Sequence, residues 1–182
     1  MSVFTNSASR SKDEAGDYTT AVLGLVGGVP PLEILSMTAS RLREATRGLS
    51  KSQLARREAP DKWSINHVLR HLADSEIVWG WRMRMALAHD RPPITGYDQD
   101  AWADKLGYGD ADAEESVREF DVLRAGNLRL LRNATSDDMK RVGVHAERGE
   151  ESVAHMMKLY AGHDILHVNQ IERIKKGLGT RD

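Results

Sequence analysis

Two histidines, His163 and His167, stand four residues apart in an otherwise apolar helical stripe, and this pairing restricts the fold more than anything else in the chain. On an α-helix, positions i and i+4 differ by roughly 40° around the axis, so both imidazoles point the same way. Met156, Tyr160, Ile171 and Ile174 fall on the same arc, the one a helix turns toward a core. A polar ring buried without a partner costs about 1–3 kcal/mol. The chain must therefore fold so that something meets both rings. A divalent cation satisfies two imidazoles at once; a hydrogen-bonding neighbour for each ring is the alternative.

The residues around that helix suggest the rest of the bundle. The first helix is expected from Pro31, a favoured first-turn residue, with the stripe Ile34, Leu35, Thr38, Ala39, Leu42 and Ala45 and a stop at Gly48. The second begins after Ser64 as N-cap, with Trp63 and Val68 placed for a hydrophobic staple. Its stripe is Ile65, Val68, Leu69, Leu72, Glu76, Trp79, Met83 and Leu87, and it ends before Arg91-Pro92-Pro93. The third opens near Asp112-Ala113-Glu114-Glu115 and carries Val117, Phe120, Leu123, Leu130 and Leu131. A polar connection from about Asn133 to Glu150 leads to the fourth, from about Ser152 to Lys176. Period-2 alternation is nowhere sustained, so no strand is expected. The fold class is all-α, a four-helix bundle. Residues 1–20, polar and charged, read as a loosely ordered tail, and 21–182 as one helical domain.

Charge and residue usage narrow the function. With 26 Lys and Arg against 27 Asp and Glu, the formal net charge is −1, which offers nothing to nucleic acid or an anionic membrane surface. The apolar run from Ala21 to Pro31 is too short and too broken to span a bilayer. No basic segment followed by an apolar run marks a signal peptide, so a cytoplasmic location is expected. There is no cysteine. A metal must be held by His, Asp or Glu, and a thiol in the chemistry must come from a cosubstrate.

A second i, i+4 pair, His67 and His71, lies on the second helix. The helical wheel puts His71 at the edge of the apolar arc and turns His67 mostly outward. His71 is therefore the candidate third ligand. Three neutral imidazoles leave a divalent cation its full charge and an open position, a catalytic rather than a closed structural arrangement.

The stretch Trp63-Ser-Ile-Asn-His-Val-Leu-Arg-His-Leu-Ala-Asp-Ser-Glu76 resembles the second-helix signature of the DinB-like family. His163-Asp-Ile-Leu-His167, followed by Gln170-Ile171, resembles that family's fourth-helix motif. The resemblance runs from about Pro31 to Gly177. It implies a DinB-like four-helix bundle in which His71, His163 and His167 hold a divalent metal, zinc or nickel, and it implies homodimers. The implied activity is hydrolase-like or thiol-S-transferase-like, with the metal activating water or a low-molecular-weight thiol against a small-molecule substrate. It also leaves room for a non-catalytic stress-related module in which the metal only stabilises the fold.

Metal-bound imidazoles need an acceptor for their other nitrogen. Asp74, Glu76 and Asp164 are near in sequence, and Glu76 is preferred because a carboxylate in an apolar stripe must have a partner; an ion pair with an Arg from another helix is the alternative. Glu76 and His145 are the candidate general bases. Gln170 and Tyr160 lie on the ligand arc, Tyr97 and Trp102 are placed to roof the site, and Arg148 is a candidate for an anionic substrate group. His155 is expected to be exposed. Apolar residues near Trp79 and Trp81 would allow dimerisation.

Overall fold

The computed structural model describes residues 12–178. The helices are α1 (Lys12–Val26), α2 (Pro31–Thr46), α3 (Lys51–Ala55), α4 (Ile65–Ala88), α5 (Gln99–Lys105), α6 (Ala113–Asn133) and α7 (Val153–Leu178). The strands are β1 (Pro93–Ile94), β2 (Val142–His145) and β3 (Gly149–Ser152). The four long elements α2, α4, α6 and α7 are the bundle expected from the sequence.

Their ends follow local chemistry. Pro31 occupies the first turn of α2, and Gly48 just beyond it has φ 77°, a left-handed turn that glycine adopts without strain. Asp112 caps α6 by accepting from the Glu115 N–H at 3.0 Å. Ser152 does the same for α7, accepting from the His155 N–H at 3.1 Å. Every residue of the expected α2 stripe is buried, and so are Met156, Tyr160, Ile171 and Ile174 on α7. The core divides into two apolar clusters, one around Leu35, Met83, Met156 and Tyr160, the other around Leu42, Leu69, Phe120 and Ile171.

A buried polar network also joins the four bundle helices. Arg124 of α6 donates from Nε to Glu76 Oε1 of α4 at 2.8 Å and from Nη1 to Asp164 Oδ2 of α7 at 2.7 Å. The same Nη1 donates to the Leu35 carbonyl of α2 at 2.7 Å. Thr38 donates to Asp164 at 2.6 Å, and Asn127 donates to Glu76 Oε2 at 2.9 Å. The Arg124 guanidinium lies between the Phe120 and Tyr160 rings, 4.5 and 4.6 Å from their centroids. Nearly every donor and acceptor in this layer is matched, as burial of charge demands.

Three parts of the fold depart from the expectation. Of the tail expected over residues 1–20, residues 1–11 lie outside the described residues, and from Lys12 the chain is helical. α1 lies against α7 so closely that a Cβ at Gly162 would stand 2.2 Å from the Val22 carbonyl oxygen. Second, the connection expected after Asn133 contains a hairpin: β2 pairs antiparallel with β3 and parallel with β1. Strands of two to four residues are too short to show a period in sequence. Third, Trp79 is buried, stacked on Tyr160 with centroids 5.1 Å apart, while Trp81 stays exposed beside Ile77. Among the described residues, no single helix is long and apolar enough to cross a membrane.

Candidate metal centre

The α4 and α7 axes carry His71, His163 and His167 to one point inside the bundle. One candidate ligand nitrogen from each lies within 4.8 Å of the others, and all three residues are buried. His71 Nε2 stands 3.1 Å from His163 Nε2. The ring centroids are 5.2 Å apart for His71 and His163, 4.7 Å for His71 and His167, and 4.4 Å for His163 and His167. Trp63, just before α4, covers the cluster with its ring centroid 5.0 Å from that of His71 and 6.5 Å from that of His167.

Burial, followed by the neighbouring His167, holds His71 well below its ordinary pKa. Burial and the other two imidazoles do the same to His163. His167 is lowered to about 4, again by burial first, against the opposing pull of Gln170 and Asp164. All three rings are therefore neutral near pH 7, and each has a lone pair to give.

The donor set fits a divalent metal. Two nitrogens on a tetrahedral cation at about 2.1 Å stand about 3.4 Å from each other, close to the observed His71–His163 separation. His167 Nδ1 lies 2.8 Å from Gln170 Oε1. Since an amide oxygen can only accept, Nδ1 carries the proton and Nε2 keeps its lone pair. The Nδ1 atoms of His71 and His163 are buried with no hydrogen-bond partner. The direct contact between the two Nε2 atoms can satisfy at most one ring as donor and one as acceptor. A cation between them satisfies both lone pairs.

The other site candidates divide sharply. Glu76 does not reach the cluster: it is held by Arg124 and Asn127, the ion-pair alternative. Burial raises its carboxyl to about 7 against the pull of Arg124. Asp164 is committed to Thr38 and Arg124, and Asp74 to Arg70 and to the Tyr108 hydroxyl at 2.6 Å. The acceptor that the geometry supplies is instead Gln170, the nearest side-chain acceptor one turn along the same face. His67 is not turned outward. It is buried, with Arg57 Nη2 at 2.9 Å from Nε2 and Ser64 Oγ at 2.8 Å from Nδ1, and a Cβ on Gly109 would touch its ring. An arginine can only donate, so Nε2 accepts, and both ring nitrogens are engaged away from the cluster.

His145 of β2 lies at a cavity of about 90 Å³ that it shares with His163, Trp79, Arg82, Tyr97 and Arg148. Its pKa is lowered to about 4 by burial and by Arg148. Its Nδ1 accepts from the Glu147 N–H at 3.2 Å, so in the neutral ring Nε2 is a donor. That assigns it hydrogen-bond donation in the resting state rather than the base role considered from the sequence. Tyr97 has its hydroxyl 3.5 Å from Ser75 Oγ, which is 3.4 Å from His71 Nε2. Trp102 packs against Tyr97 with ring centroids 4.6 Å apart and planes tilted by 51°, and of the two only Tyr97 lines the cavity that His163 shares. Arg148 is paired with Glu151 through Nε and Nη2 at 2.6 and 3.0 Å. His155 is half-buried rather than exposed. Ser75, Arg82 and Tyr18 went unremarked in the sequence; Arg82 in α4 carried a signal, a charge three residues after Trp79 on the inward side of the wheel.

Comparison with known proteins agrees with this geometry. The family model described as the DinB superfamily matches residues 34–171. The "Putative metal-dependent hydrolase YfiT" of Bacillus subtilis is 26% identical over 149 residues, covering 81% of this chain and 84% of that protein. A relative with the same descriptor from Oceanobacillus iheyensis is 29% identical over 135 residues, covering 74% and 78%. The solved structure of B. subtilis YfiT, described as an unusual four-helix bundle topology, superposes with a TM-score of 0.77 at 23% identity, covering 96% of this chain and 93% of that one.

Proposed function

This chain belongs to the DinB superfamily, and from that footing we propose that it is a metal-dependent enzyme of hydrolase-like chemistry acting on a small molecule. The observation that carries the proposal is the convergence of His71, His163 and His167 beside a cavity that His163 itself lines. A cation needed only to staple α4 to α7 would have no use for that access. The relatives' descriptor as metal-dependent hydrolases supports the same reading.

His71, His163 and His167 would hold the cation, zinc or nickel, as neutral ligands. When bound, such a cation lowers the pKa of water or of a small thiol, so that the nucleophilic anion forms near neutral pH. The protein's residues do the remaining work. Gln170 fixes the tautomer and ring orientation of His167. Trp63, packed against the His71 and His167 rings, keeps bulk water from them. The Arg124 network holds Asp164 and Glu76, the residues beside His163 and Ser75, in fixed places. With no cysteine in the chain, a transferred thiol would be a cosubstrate, and thiol transfer is the variant of this reading that replaces water by that thiol.

The test is turnover of a panel of activated esters and amides, and of electrophiles with added low-molecular-weight thiols, by the zinc- or nickel-loaded protein. The expected result is activity that a chelator abolishes, that metal restores, and that His163→Ala lacks. Stoichiometric metal whose removal lowers the melting temperature, with no turnover of either panel, would establish the purely stabilising role instead.

A further inference from the structure

The cavity beside the three imidazoles contains a buried arginine that, among the described residues, makes no direct ion pair. Arg82 projects from α4 and is nine-tenths buried. Its Nη2 donates to the Thr95 carbonyl at 2.7 Å, and its guanidinium lies 5.5 Å from the Trp79 ring centroid. Its Nε is buried with no partner, and among the described residues no carboxylate forms an ion pair with it. Every other deeply buried arginine here is matched: Arg124 has two carboxylates. A buried guanidinium left with one carbonyl and one ring face is an incomplete site.

A second unsatisfied donor faces the same space. His145 is buried, its Nδ1 is taken by the Glu147 N–H, and its Nε2 has no partner. Arg148 also lines the cavity, but its charge is answered by Glu151. The one carboxylate at the cavity is Glu147, half-buried near Gly96 and not bonded to Arg82. The volume of about 90 Å³ admits an end-group rather than a whole substrate.

We infer that this cavity is a subsite for the carboxylate of a small anionic substrate, held by the Arg82 guanidinium and by His145 Nε2–H. The planar fork of arginine matches the two oxygens of a carboxylate, and both unpartnered groups are donors, which selects an acceptor-only ligand. His163 lines the cavity, so a carboxylate anchored there places the adjoining bonds of the molecule toward the three-His cluster. The inference rests on the metal-dependent reading for its purpose, but the subsite is made of residues outside the ligand set.

The probe is sodium acetate, titrated at constant ionic strength into the zinc-loaded full chain. The readout is the ¹H–¹⁵N resonance of Arg82 Nε–H, assigned by its loss in Arg82→Lys. The expected result is a saturable shift with acetate that chloride does not produce, and, by isothermal titration calorimetry of both proteins, affinity for acetate at least tenfold weaker in Arg82→Gln while zinc content is unchanged. Glu147→Gln, which removes the competing carboxylate and leaves Arg82 in place, should bind acetate at least as tightly as the wild type. Absence of a saturable shift, the same shift with chloride, or a response to inorganic phosphate but not to acetate would overturn the carboxylate subsite. Zinc content measured on the same samples separates the two ideas. Acetate binding in a chain that holds no zinc would remove the metal reading and keep the subsite, whereas zinc without acetate binding would do the reverse.

Discussion

At the scale of single residues, the site is decided by which neighbour each polar group already has. Glu76 is adjacent in sequence to the ligand helix turn and lies on its inward face, yet Arg124 and Asn127 occupy both its oxygens. Gln170 is neutral and less conspicuous, yet its Oε1 accepts from the His167 ring. Gln170→Leu is therefore expected to weaken zinc binding by about 10–100-fold, measured by competition with a chromophoric chelator. Glu76→Gln should leave zinc affinity within a few-fold of wild type. His145 sets a pH dependence. Its folded pKa is about 4, below the ordinary imidazole value near 6.5, so the unfolded chain takes up a proton that the native chain refuses. Stability from this group is complete above about pH 6.5 and is lost as pH falls toward 4. Denaturant melts between pH 7 and 4 should show a shallower acid loss in His145→Asn than in the wild type.

At the scale of elements, helices reveal themselves in sequence and the short strands do not. The long helices declare themselves by a stripe of period 3.6 and by caps such as Asp112 and Gly48. Val142–His145 has four residues and a glycine in the middle, too few for alternation to register. α1 was hidden for another reason: Gly24, Gly27 and Gly28 break up the apolar run, although its Val22 and Val26 join the core cluster with Leu159, Tyr160 and Ala161 of α7. Gly162 is what admits it. Gly162→Ala would drive a methyl against the Val22 carbonyl, and because the opposing atom is backbone, α1 must move. The expected cost is about 1–3 kcal/mol, with hydrogen-exchange protection lost first in α1. The three-His cluster was legible because two of its members share a helix face. The cavity was not, since Arg82, Tyr97 and His145 come from three separate segments, and their meeting depends on how the hairpin packs on α4.

Across the whole molecule, two buried polar features join bundle helices, and they meet on α7, where Asp164 follows His163. One is the Arg124 network, in which a single guanidinium engages α2, α4 and α7 from α6. Arg124→Met strands two buried carboxylates, and the expected loss is about 3–5 kcal/mol, read from the midpoint of urea unfolding. The other is the three-His cluster, which bridges α4 and α7 only. A cation bound there stabilises the native state by mass action, so zinc at one hundred times its Kd should add about 2.7 kcal/mol, and the gain should vanish in His167→Ala.

The most direct test is metal stoichiometry in the wild type and in His71→Ala, His163→Ala and His167→Ala, measured after zinc loading and exhaustive dialysis. One zinc per chain in the wild type, with retention lost in each of the three variants while helical content stays unchanged, is the predicted result. A wild type that retains no metal, or a His71→Ala variant that keeps a full equivalent, would contradict a cation shared between α4 and α7.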